Sequence, residues 1–356
     1  MRFMHLSDVH LGVLPDTGKS WSRKRAQDIW DTFAETIEQA ARMQPDFLLI
    51  SGDLFHGQPL RRELKEVNYL FEKIPDTKVL FMAGNHDYIQ EKSYYRTFPW
   101  AENVFFFPKE EVSAFDFPDL NVTVYGLSYW HREIAQRKYD EVIPENPDRM
   151  NLLLAHGGDE KHIPFSAERI LQNGFDYIAA GHIHKGSQMV SQRAVMAGAL
   201  EPIDCNDTGS HGYWQGEIIK TNGKTETQVH FFPIKKCEYC HETVSVTGDS
   251  TEYEITKQIR ELLTKRPPYQ YFRIFLEGYA DPELMLPLEK IEAMERIVDV
   301  TDHLVPDYHY EKLLEENKDT ILGNYIQTMQ EKPQSVVTKK ALEYGVNALL
   351  GHQICR

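Results

Sequence analysis

Apolar runs and amphipathic stretches alternate along the first part of the chain. Residues 2–7, 46–51 and 78–83 are short apolar runs, which predict buried β-strands. Between these runs, Ser22–Met43 and residues 61–73 repeat apolar side chains at helical spacing and predict amphipathic helices. Strands that alternate with helices in this way predict an α/β sheet.

The pattern continues towards residue 235 and then changes. Further strand-like runs lie at residues 121–126, 150–155, 175–180, 196–199, 212–219 and 225–232, the last alternating as a half-buried antiparallel strand does. Beyond residue 235 the predicted strands are 243–247, 271–277 and 296–300, and the predicted helices are 253–264, 282–294, 308–329 and 335–350. We therefore predict a first domain at 1–235, a smaller α+β domain at 236–310 and a helical tail at 311–356.

The composition is that of an ordinary globular protein. Of the 356 residues, 41% are hydrophobic and 26% are charged, a balance that excludes disordered and collagenous chains. There is no run of about 18 apolar residues, so we expect no membrane span. Residues 1–12 mix polar and charged side chains among the apolar ones, unlike a signal peptide. Four cysteines do not make a disulfide framework, which favours the cytoplasm.

The net charge of -15 argues at first against a nucleic-acid partner, because such proteins usually carry a basic surface. The acidity is unevenly distributed, however. Residues 1–100 hold 13 basic and 14 acidic side chains, whereas the remaining 256 residues hold 26 and 40. The acidic sum therefore does not exclude DNA as a ligand of the N-terminal part.

Polar residues cluster where the predicted strands end, which is where an α/β sheet places its ligand site. The sets are Asp8-Val9-His10, Gly52-Asp53, Gly84-Asn85-His86-Asp87, Ala155-His156-Gly157 and Gly181-His182-Ile183-His184. Two carboxylates, one amide oxygen and several imidazoles suit Mn, Fe or Zn better than Ca or Mg. Two such metals roughly 3.5–4 Å apart would clamp a phosphoryl group, with Asp53 as the natural bridging ligand. An isolated histidine such as His5 or His230 is more typical of a core or surface position.

The stretches "HLSDVHLG", "GDLFH", "GNHD", "AHGG" and "GHIH" resemble the calcineurin-like metallophosphoesterase superfamily. The resemblance covers about residues 1–235 and is closest to the DNA double-strand-break repair exonuclease branch, to which bacterial SbcD belongs. Protein serine/threonine phosphatases of the superfamily usually have an arginine after the second motif and a glutamate in the third. This chain has Gly57 and Asp87 at those places.

The resemblance implies a four-layer αββα sandwich that holds a di-metal centre. The first metal would be bound by Asp8, His10, Asp53 and His184. The second metal would be bound by Asp53, Asn85, His156 and His182. His86 would stay off the metals and stabilise the developing charge or protonate the leaving group, and Asp87 would orient His86 by accepting its other ring proton.

The implied function is a metal-dependent DNA nuclease, a phosphodiester hydrolase that acts in DNA repair. It would use two divalent metal ions, with Mn²⁺ preferred over Fe or Zn. The family also implies a homodimer, a capping domain and a helical tail that docks on an SMC-like coiled-coil ATPase (SbcC in bacteria). The tail helices could equally pack only on their own domain. Two alternatives stay open: a phosphodiesterase or phosphatase of small phosphate esters with the same metal site, and a scaffold with an inactive site.

Candidate DNA contacts are the basic residues that follow the first two metal-binding loops. They are Arg23, Lys24 and Arg25 after the first loop, and Arg61 and Arg62 after the second. They could reach backbone phosphates, or they could simply be solvated helix starts. Cys237, Cys240 and His241 have the spacing of half a zinc site, but the sequence offers no second pair, so we interpret this spacing as accidental.

Overall fold

The computed structural model describes residues 1–221 and 223–351, and it divides into two compact units, Met1–Tyr239 and Cys240–Arg356. The strands of the first unit are β1 (Arg2–Leu6), β2 (Phe47–Ile50), β3 (Lys78–Phe81), β4 (Val104–Phe106), β5 (Ser113–Phe117), β6 (Val122–Gly126), β7 (Met150–His156), β8 (Tyr177–Gly181), β9 (Ser187–Val190), β10 (Ala194–Met196), β11 (His211–Thr221) and β12 (Lys224–Ile234). Its helices are α1 (Ser22–Met43), α2 (Arg61–Phe71) and α3 (Ala167–Gln172).

Two six-stranded sheets form the first unit. The first has the order β12-β11-β1-β2-β3-β4, and its strands β1 to β4 are parallel to one another. The second has the order β5-β6-β7-β8-β10-β9, in which β6, β7, β8 and β10 are parallel. Because the carboxyl ends of neighbouring parallel strands meet at one edge, each sheet gathers the loops that follow its central strands.

The main core lies between the two sheets. Phe3, Phe47 and Leu49 of the first sheet are fully buried in one cluster with Leu152 and Ile178 of the second. The opposite face of the first sheet packs against α1 and α2, and α3 packs against β8 and β9 of the second sheet. The predicted mixed α/β fold is therefore confirmed, with helices on the outside of two packed sheets.

The second unit combines a small sheet with helices. Its elements are β13 (Glu238–Val246), α4 (Glu252–Lys265), β14 (Gln270–Ala280), α5 (Leu288–Glu292), β15 (Ile297–Pro306), α6 (Tyr310–Glu316), α7 (Ile321–Gln330) and α8 (Val336–Leu350). The sheet order is β13-β14-β15, and α4 buries Ile255 and Ile259 against it. The last three helices share a separate apolar cluster. Among the described residues, no helix combines the length and the apolar character that crossing a bilayer requires.

Several predicted elements differ from those observed. The predicted helix 308–329 is two helices, and Thr320 begins the second by accepting a hydrogen bond from the Gly323 backbone N–H at 3.3 Å. The predicted helix 282–294 is reduced to Leu288–Glu292, which starts directly after Pro287. The strand predicted at 196–199 is Ala194–Met196. The separate tail at 311–356 stays a prediction, and its residues 352–356 lie outside the described part of the chain.

Candidate metal centre

The carboxyl end of β7 and the loops that follow β1, β2, β3 and β8 meet at one place in the first unit. The side chains that they bring together are those of Asp8, His10, Asp53, Asn85, His156, His182 and His184. The first two loops run side by side, because the His10 backbone N–H donates to the Asp53 carbonyl oxygen at 3.0 Å. Asp8, His10 and Asp53 all have φ near +50°, a conformation that costs free energy in residues with a side chain and is concentrated at functional sites.

Two glycines let these side chains approach one another. A Cβ atom on Gly84 would lie 2.2 Å from Asp53 Oδ1 and 2.7 Å from His156 Nε2. A Cβ atom on Gly52 would lie 2.3 Å from His156 Nδ1. Such distances are far below van der Waals contact, so any larger residue at either position would displace a proposed ligand.

One group of potential ligand atoms surrounds His10. Its Nε2 lies 3.1 Å from His184 Nε2, 3.9 Å from Asp53 Oδ2 and 4.0 Å from Asp8 Oδ1. Asp8 Oδ2 accepts hydrogen bonds from the Ser7 hydroxyl and the His182 backbone N–H, whereas Asp8 Oδ1 is buried and has no hydrogen-bond partner among the described residues. An orphaned buried carboxylate oxygen beside two imidazoles is well suited to a cation.

A second group surrounds the Asn85 side-chain oxygen. His156 Nε2 lies 2.9 Å from Asn85 Oδ1, and His182 Nδ1 lies 3.0 Å from the same oxygen. His156 Nε2 is also 3.4 Å from Asp53 Oδ2, so Asp53 lies between the two groups. Asn85 Oδ1 and the two carboxylates can only accept hydrogen bonds. The donor set of both groups therefore fits divalent cations that prefer mixed nitrogen and oxygen ligands.

The charges in the cluster are strongly coupled. Burial opposes the charged form of Asp53, but the neighbouring His156 ring holds the pKa of this carboxyl well below its usual range. Burial also opposes the charged form of His156, but Asp53 raises the pKa of that ring to about 9. Burial lowers the pKa of His10. Without a cation, a proton on the His156 ring thus offsets the negative charge of Asp53.

His86 lies at the rim of this cluster. Its backbone N–H donates to Asp53 Oδ1 at 2.9 Å, and its ring is 4.8 Å from the His10 ring and 5.0 Å from the His56 ring, measured between centroids. The half-buried His86 ring thus stands beside the cluster of potential ligands.

The expected pairing of Asp87 with His86 is wrong. The Asp87 carboxylate is fully buried and accepts hydrogen bonds from the Tyr95 hydroxyl at 2.7 Å and the Gly84 and Phe55 backbone N–H groups at 2.7 and 3.2 Å. These three bonds use both carboxylate oxygens, and among the described residues no hydrogen bond joins Asp87 to the His86 ring. Asp87 therefore holds the loop in shape.

The assignment of Arg25 to DNA contact is also wrong. Its side chain is fully buried, and its guanidinium donates to Glu201 Oε2 at 3.2 Å and to the Pro202 carbonyl oxygen at 3.0 Å. Arg25 precedes Ile29 by four residues and so lies on the buried stripe of α1. The other four candidates, Arg23, Lys24, Arg61 and Arg62, are exposed in the first turns of α1 and α2.

Two carboxylates near the cluster carry no recognisable motif and were missed in the sequence. Asp159 Oδ2 accepts a hydrogen bond from His182 Nε2 at 2.7 Å, and Asp207 Oδ2 accepts one from His184 Nδ1 at 2.9 Å. His162 Nδ1 lies 2.9 Å from both Asp159 oxygens. In the sequence, the only signal for Asp159 and Asp207 is that they follow the "AHGG" and "GHIH" stretches.

Comparison with known proteins agrees with this chemistry. The family model described as calcineurin-like phosphoesterase matches residues 1–186. The uncharacterized metallophosphoesterase YhaO of Bacillus subtilis is 28% identical over 244 residues, covering 63% of this chain and 58% of YhaO. The DNA double-strand break repair protein Mre11 of Methanococcus maripaludis is 28% identical over 203 residues, covering 52% of each chain. That of Sulfurisphaera tokodaii is 26% identical over 316 residues, covering 82% of this chain and 77% of the relative.

The chain spans little more than half the length of the first two of these relatives. Among solved structures, a dimetal phosphatase from Danio rerio aligns with a TM-score of 0.38 and 14% identity, covering 65% of this chain and 98% of that chain. A likeness of that degree supports no inference about the site.

Proposed function

The chain belongs to the calcineurin-like phosphoesterase family, a family of metal-dependent hydrolases, and we propose that it is a DNA nuclease that hydrolyses phosphodiesters at a centre of two divalent cations. The observation that carries the proposal is the convergence of five potential ligand side chains on Asp53 and Asn85, which makes seven in all. Mn²⁺ is the proposed ion, because the set mixes imidazole with oxygen ligands.

The proposed ligands divide into two sets that share Asp53. Asp8, His10 and His184 would complete the first set, and Asn85, His156 and His182 would complete the second. When bound, such cations supply Lewis-acid stabilisation of the phosphoryl oxygens and lower the pKa of a coordinated water. The chain itself supplies the fixed geometry, through the positive-φ loops and the two glycines beneath the ligands.

His86 is the group that we propose to act directly on the substrate. Its ring borders the His10 and His56 rings at the open side of the cluster, and its backbone is fixed to Asp53 by the hydrogen bond at 2.9 Å. From that position the imidazole can stabilise charge that develops on the phosphate or give a proton to the leaving oxygen. Asp87 contributes by shaping the loop on which His86 stands.

DNA as the substrate is supported by two observations. Several relatives at 25–28% identity are named as DNA double-strand break repair proteins. In addition, the exposed Arg23, Lys24, Arg61 and Arg62 lie at the amino ends of α1 and α2. Those helix ends follow the loops after β1 and β2, the same loops that carry Asp8 and Asp53, so phosphates on either side of the scissile bond could reach them.

The partners are further parts of the proposal. In the second unit, α7 and α8 expose Ile321, Val336, Val337 and Tyr344, each at least 49% accessible. Exposed apolar side chains on two neighbouring helices are suited to a coiled-coil partner, and we propose an SMC-like ATPase as that partner. We also propose a homodimer of this chain in the cytoplasm.

The test uses the full chain, stripped with a chelator and reloaded with MnCl₂. Linear duplex DNA and bis-p-nitrophenyl phosphate serve as parallel substrates, and Asp53→Asn serves as the variant without a bridging carboxylate. We expect Mn²⁺-dependent cleavage of both substrates and none by Asp53→Asn. Cleavage of the small ester alone would support the phosphodiesterase of small substrates instead. Failure of the Mn²⁺-loaded protein on both substrates would overturn the proposed function.

A further inference from the structure

Each histidine of the His182-Ile183-His184 stretch is held by a carboxylate from a different loop. Asp159, in the loop after β7, accepts a hydrogen bond from His182 Nε2 at 2.7 Å. Asp207, in the loop before β11, accepts one from His184 Nδ1 at 2.9 Å. The two carboxylates therefore bind opposite nitrogens of two rings that are only two residues apart.

These hydrogen bonds select opposite tautomers. A carboxylate accepts, so in their neutral, metal-binding forms His182 carries its proton on Nε2 and His184 carries its proton on Nδ1. The lone pair of His182 is then on Nδ1, which faces Asn85 Oδ1 at 3.0 Å. The lone pair of His184 is on Nε2, which faces His10 Nε2 at 3.1 Å. In each ring the nitrogen left free to bind a metal is the one that points into the ligand cluster.

We propose that Asp159 and Asp207 are positioning residues that fix these two tautomers, so that the "GHIH" stretch presents Nδ1 to one cation and Nε2 to the other. Carboxylates that orient metal-binding histidines act in this way in many metal sites. The inference rests on the metal-binding part of the proposed function and does not depend on DNA as the substrate.

The loop around Asp159 is built to hold the carboxylate in one orientation. Its Oδ1 accepts the backbone N–H groups of Lys161 at 2.8 Å and His162 at 3.0 Å. The same loop closes on itself where the Gly158 N–H donates to the His162 carbonyl oxygen at 2.8 Å. A Cβ atom on Gly157 would lie 2.1 Å from that carbonyl oxygen, so only glycine fits the closure. Oδ2 is thereby directed at His182.

This orientation predicts an unusual response to asparagine. In Asp159→Asn the amide oxygen must stay at the Oδ1 position, because two backbone N–H groups point at it. The amide NH₂ then occupies the Oδ2 position and donates to His182 Nε2, which moves the ring proton to Nδ1. That nitrogen can no longer bind a cation. A nearly isosteric substitution should therefore disable one ligand.

Asp207 differs in the way its oxygens are used. Its Oδ2 accepts both the Ile203 backbone N–H at 3.1 Å and His184 Nδ1 at 2.9 Å. In Asp207→Asn the amide oxygen can take this single position and satisfy both donors. The His184 tautomer is then preserved, and only the negative charge is lost. The same substitution should thus have different effects at the two positions.

The experiment measures Mn²⁺ binding to the chelator-treated full chain by calorimetry, for wild type, Asp159→Asn, Asp207→Asn and Glu160→Gln. Glu160→Gln removes an exposed charge next to Asp159 and controls for the loss of charge alone. We expect Asp159→Asn to weaken one of the two sites by about 10- to 100-fold. Asp207→Asn should lose clearly less, and Glu160→Gln should match wild type. Equal affinities for Asp159→Asn and wild type, or equal losses at positions 159 and 207, would overturn the inference.

A spectroscopic readout separates the tautomer from a general loosening of the loop. The ring nitrogen shifts of His182 in the metal-free protein report which nitrogen carries the proton. They should change from Nε2–H in wild type to Nδ1–H in Asp159→Asn, with an unchanged thermal melting curve. Retention of Nε2–H in the variant would contradict the proposal. A wild-type chain that binds no Mn²⁺ would instead contradict the proposed function.

Discussion

The His156 ring donates from Nδ1 to the carbonyl oxygen of Ser51 across 2.8 Å. A carbonyl oxygen can only accept, so this bond fixes the proton on Nδ1 of the neutral ring. Nε2 is then left with a lone pair that faces Asn85 Oδ1 and Asp53 Oδ2, both of which are acceptors. Three acceptors directed at one another without a donor need a proton or a metal cation between them. The carbonyl oxygen of Ser51, directly after β2, thus leaves His156 Nε2 as the ring nitrogen that faces the cluster.

Metal binding should release protons at pH 7. Although burial opposes the charged rings, the carboxylates of Asp53 and Asp207 raise the pKa values of His156 and His184 to about 9. Below pH 9 both rings hold an extra proton in the metal-free protein, and a cation must displace it. Mn²⁺ affinity should therefore rise as the pH increases towards about 9. Calorimetry in two buffers of different ionisation enthalpy measures the protons released, and a value of zero at pH 7 would contradict this account.

Replacement of His86 by alanine should abolish phosphodiester cleavage and leave metal binding nearly intact. The His86 ring borders the cluster but is not one of the seven proposed ligands. The hydrogen bond to Asp53 comes from the His86 backbone N–H, which the alanine variant keeps. Turnover of DNA and Mn²⁺ stoichiometry are measured on the same preparation. A variant that cleaves at the wild-type rate would show that His86 has no direct role.

Asp87 should behave as a structural residue. Asp87→Ala would leave the Tyr95 hydroxyl and two backbone N–H groups buried without an acceptor, at about 1–3 kcal/mol for each orphaned group. Tyr95→Phe removes only one donor and should cost much less. Urea unfolding of the metal-free proteins gives both values. If Asp87→Ala lost activity with unchanged free energy of unfolding, the catalytic role inferred from the sequence would be restored.

Replacement by alanine should have opposite consequences at Arg25 and Arg23: a large loss of stability at the first and almost none at the second. Arg25→Ala leaves Glu201 buried without its counter-ion, so the free energy of unfolding should fall by about 3–5 kcal/mol. Arg23→Ala, on the exposed side of the same helix turn, should leave stability within about 0.5 kcal/mol of wild type. If Arg23 contacts a phosphate, its loss should lower the slope of log affinity for DNA against log salt by about 1. Equal stability of the two variants would refute the burial argument.

His5 should make the fold acid-sensitive. Its ring is fully buried between the Ser51 hydroxyl at 3.0 Å and the Tyr177 hydroxyl at 3.2 Å, and burial lowers its pKa to about 3. Between pH 6.5 and 3 the unfolded chain binds a proton that the folded chain does not, so stability falls as the pH falls, by about 1.4 kcal/mol per pH unit. In metal-free His5→Gln, the free energy of unfolding should therefore fall less steeply with decreasing pH than in wild type, by about 1.4 kcal/mol per pH unit. An unchanged slope would contradict the prediction.

The sequence predicted which side chains gather in this cluster, because they stand at or shortly after the ends of apolar strands. Asp8, Asp53 and Asn85 come after β1, β2 and β3, and parallel pairing brings the ends of these strands together. The long helix Ser22–Met43 was also predicted with its observed bounds, since six turns of apolar repeats leave little ambiguity. Elements of this kind can be predicted from local sequence patterns alone, without information on tertiary contacts.

The features that could not be predicted from the sequence depend on contacts between residues that are distant along the chain. Asp159 and Asp207 lie 23 residues before and after their histidine partners, and no periodic pattern links them. The direction of the Asp87 side chain is set by Tyr95 and Gly84, not by its neighbour in sequence. Short elements were missed for a related reason, since the three residues of β4 carry too few positions to show a period.

The most direct test of the account is anomalous diffraction from crystals of the full chain soaked in MnCl₂. Two anomalous peaks should lie roughly 3.5–4 Å apart. One should be bound by Asp8, His10 and His184, the other by Asn85, His156 and His182, with Asp53 between them. A map without peaks in this cluster, or with a single peak bound elsewhere, would contradict the claim that the chain is a two-metal phosphodiesterase.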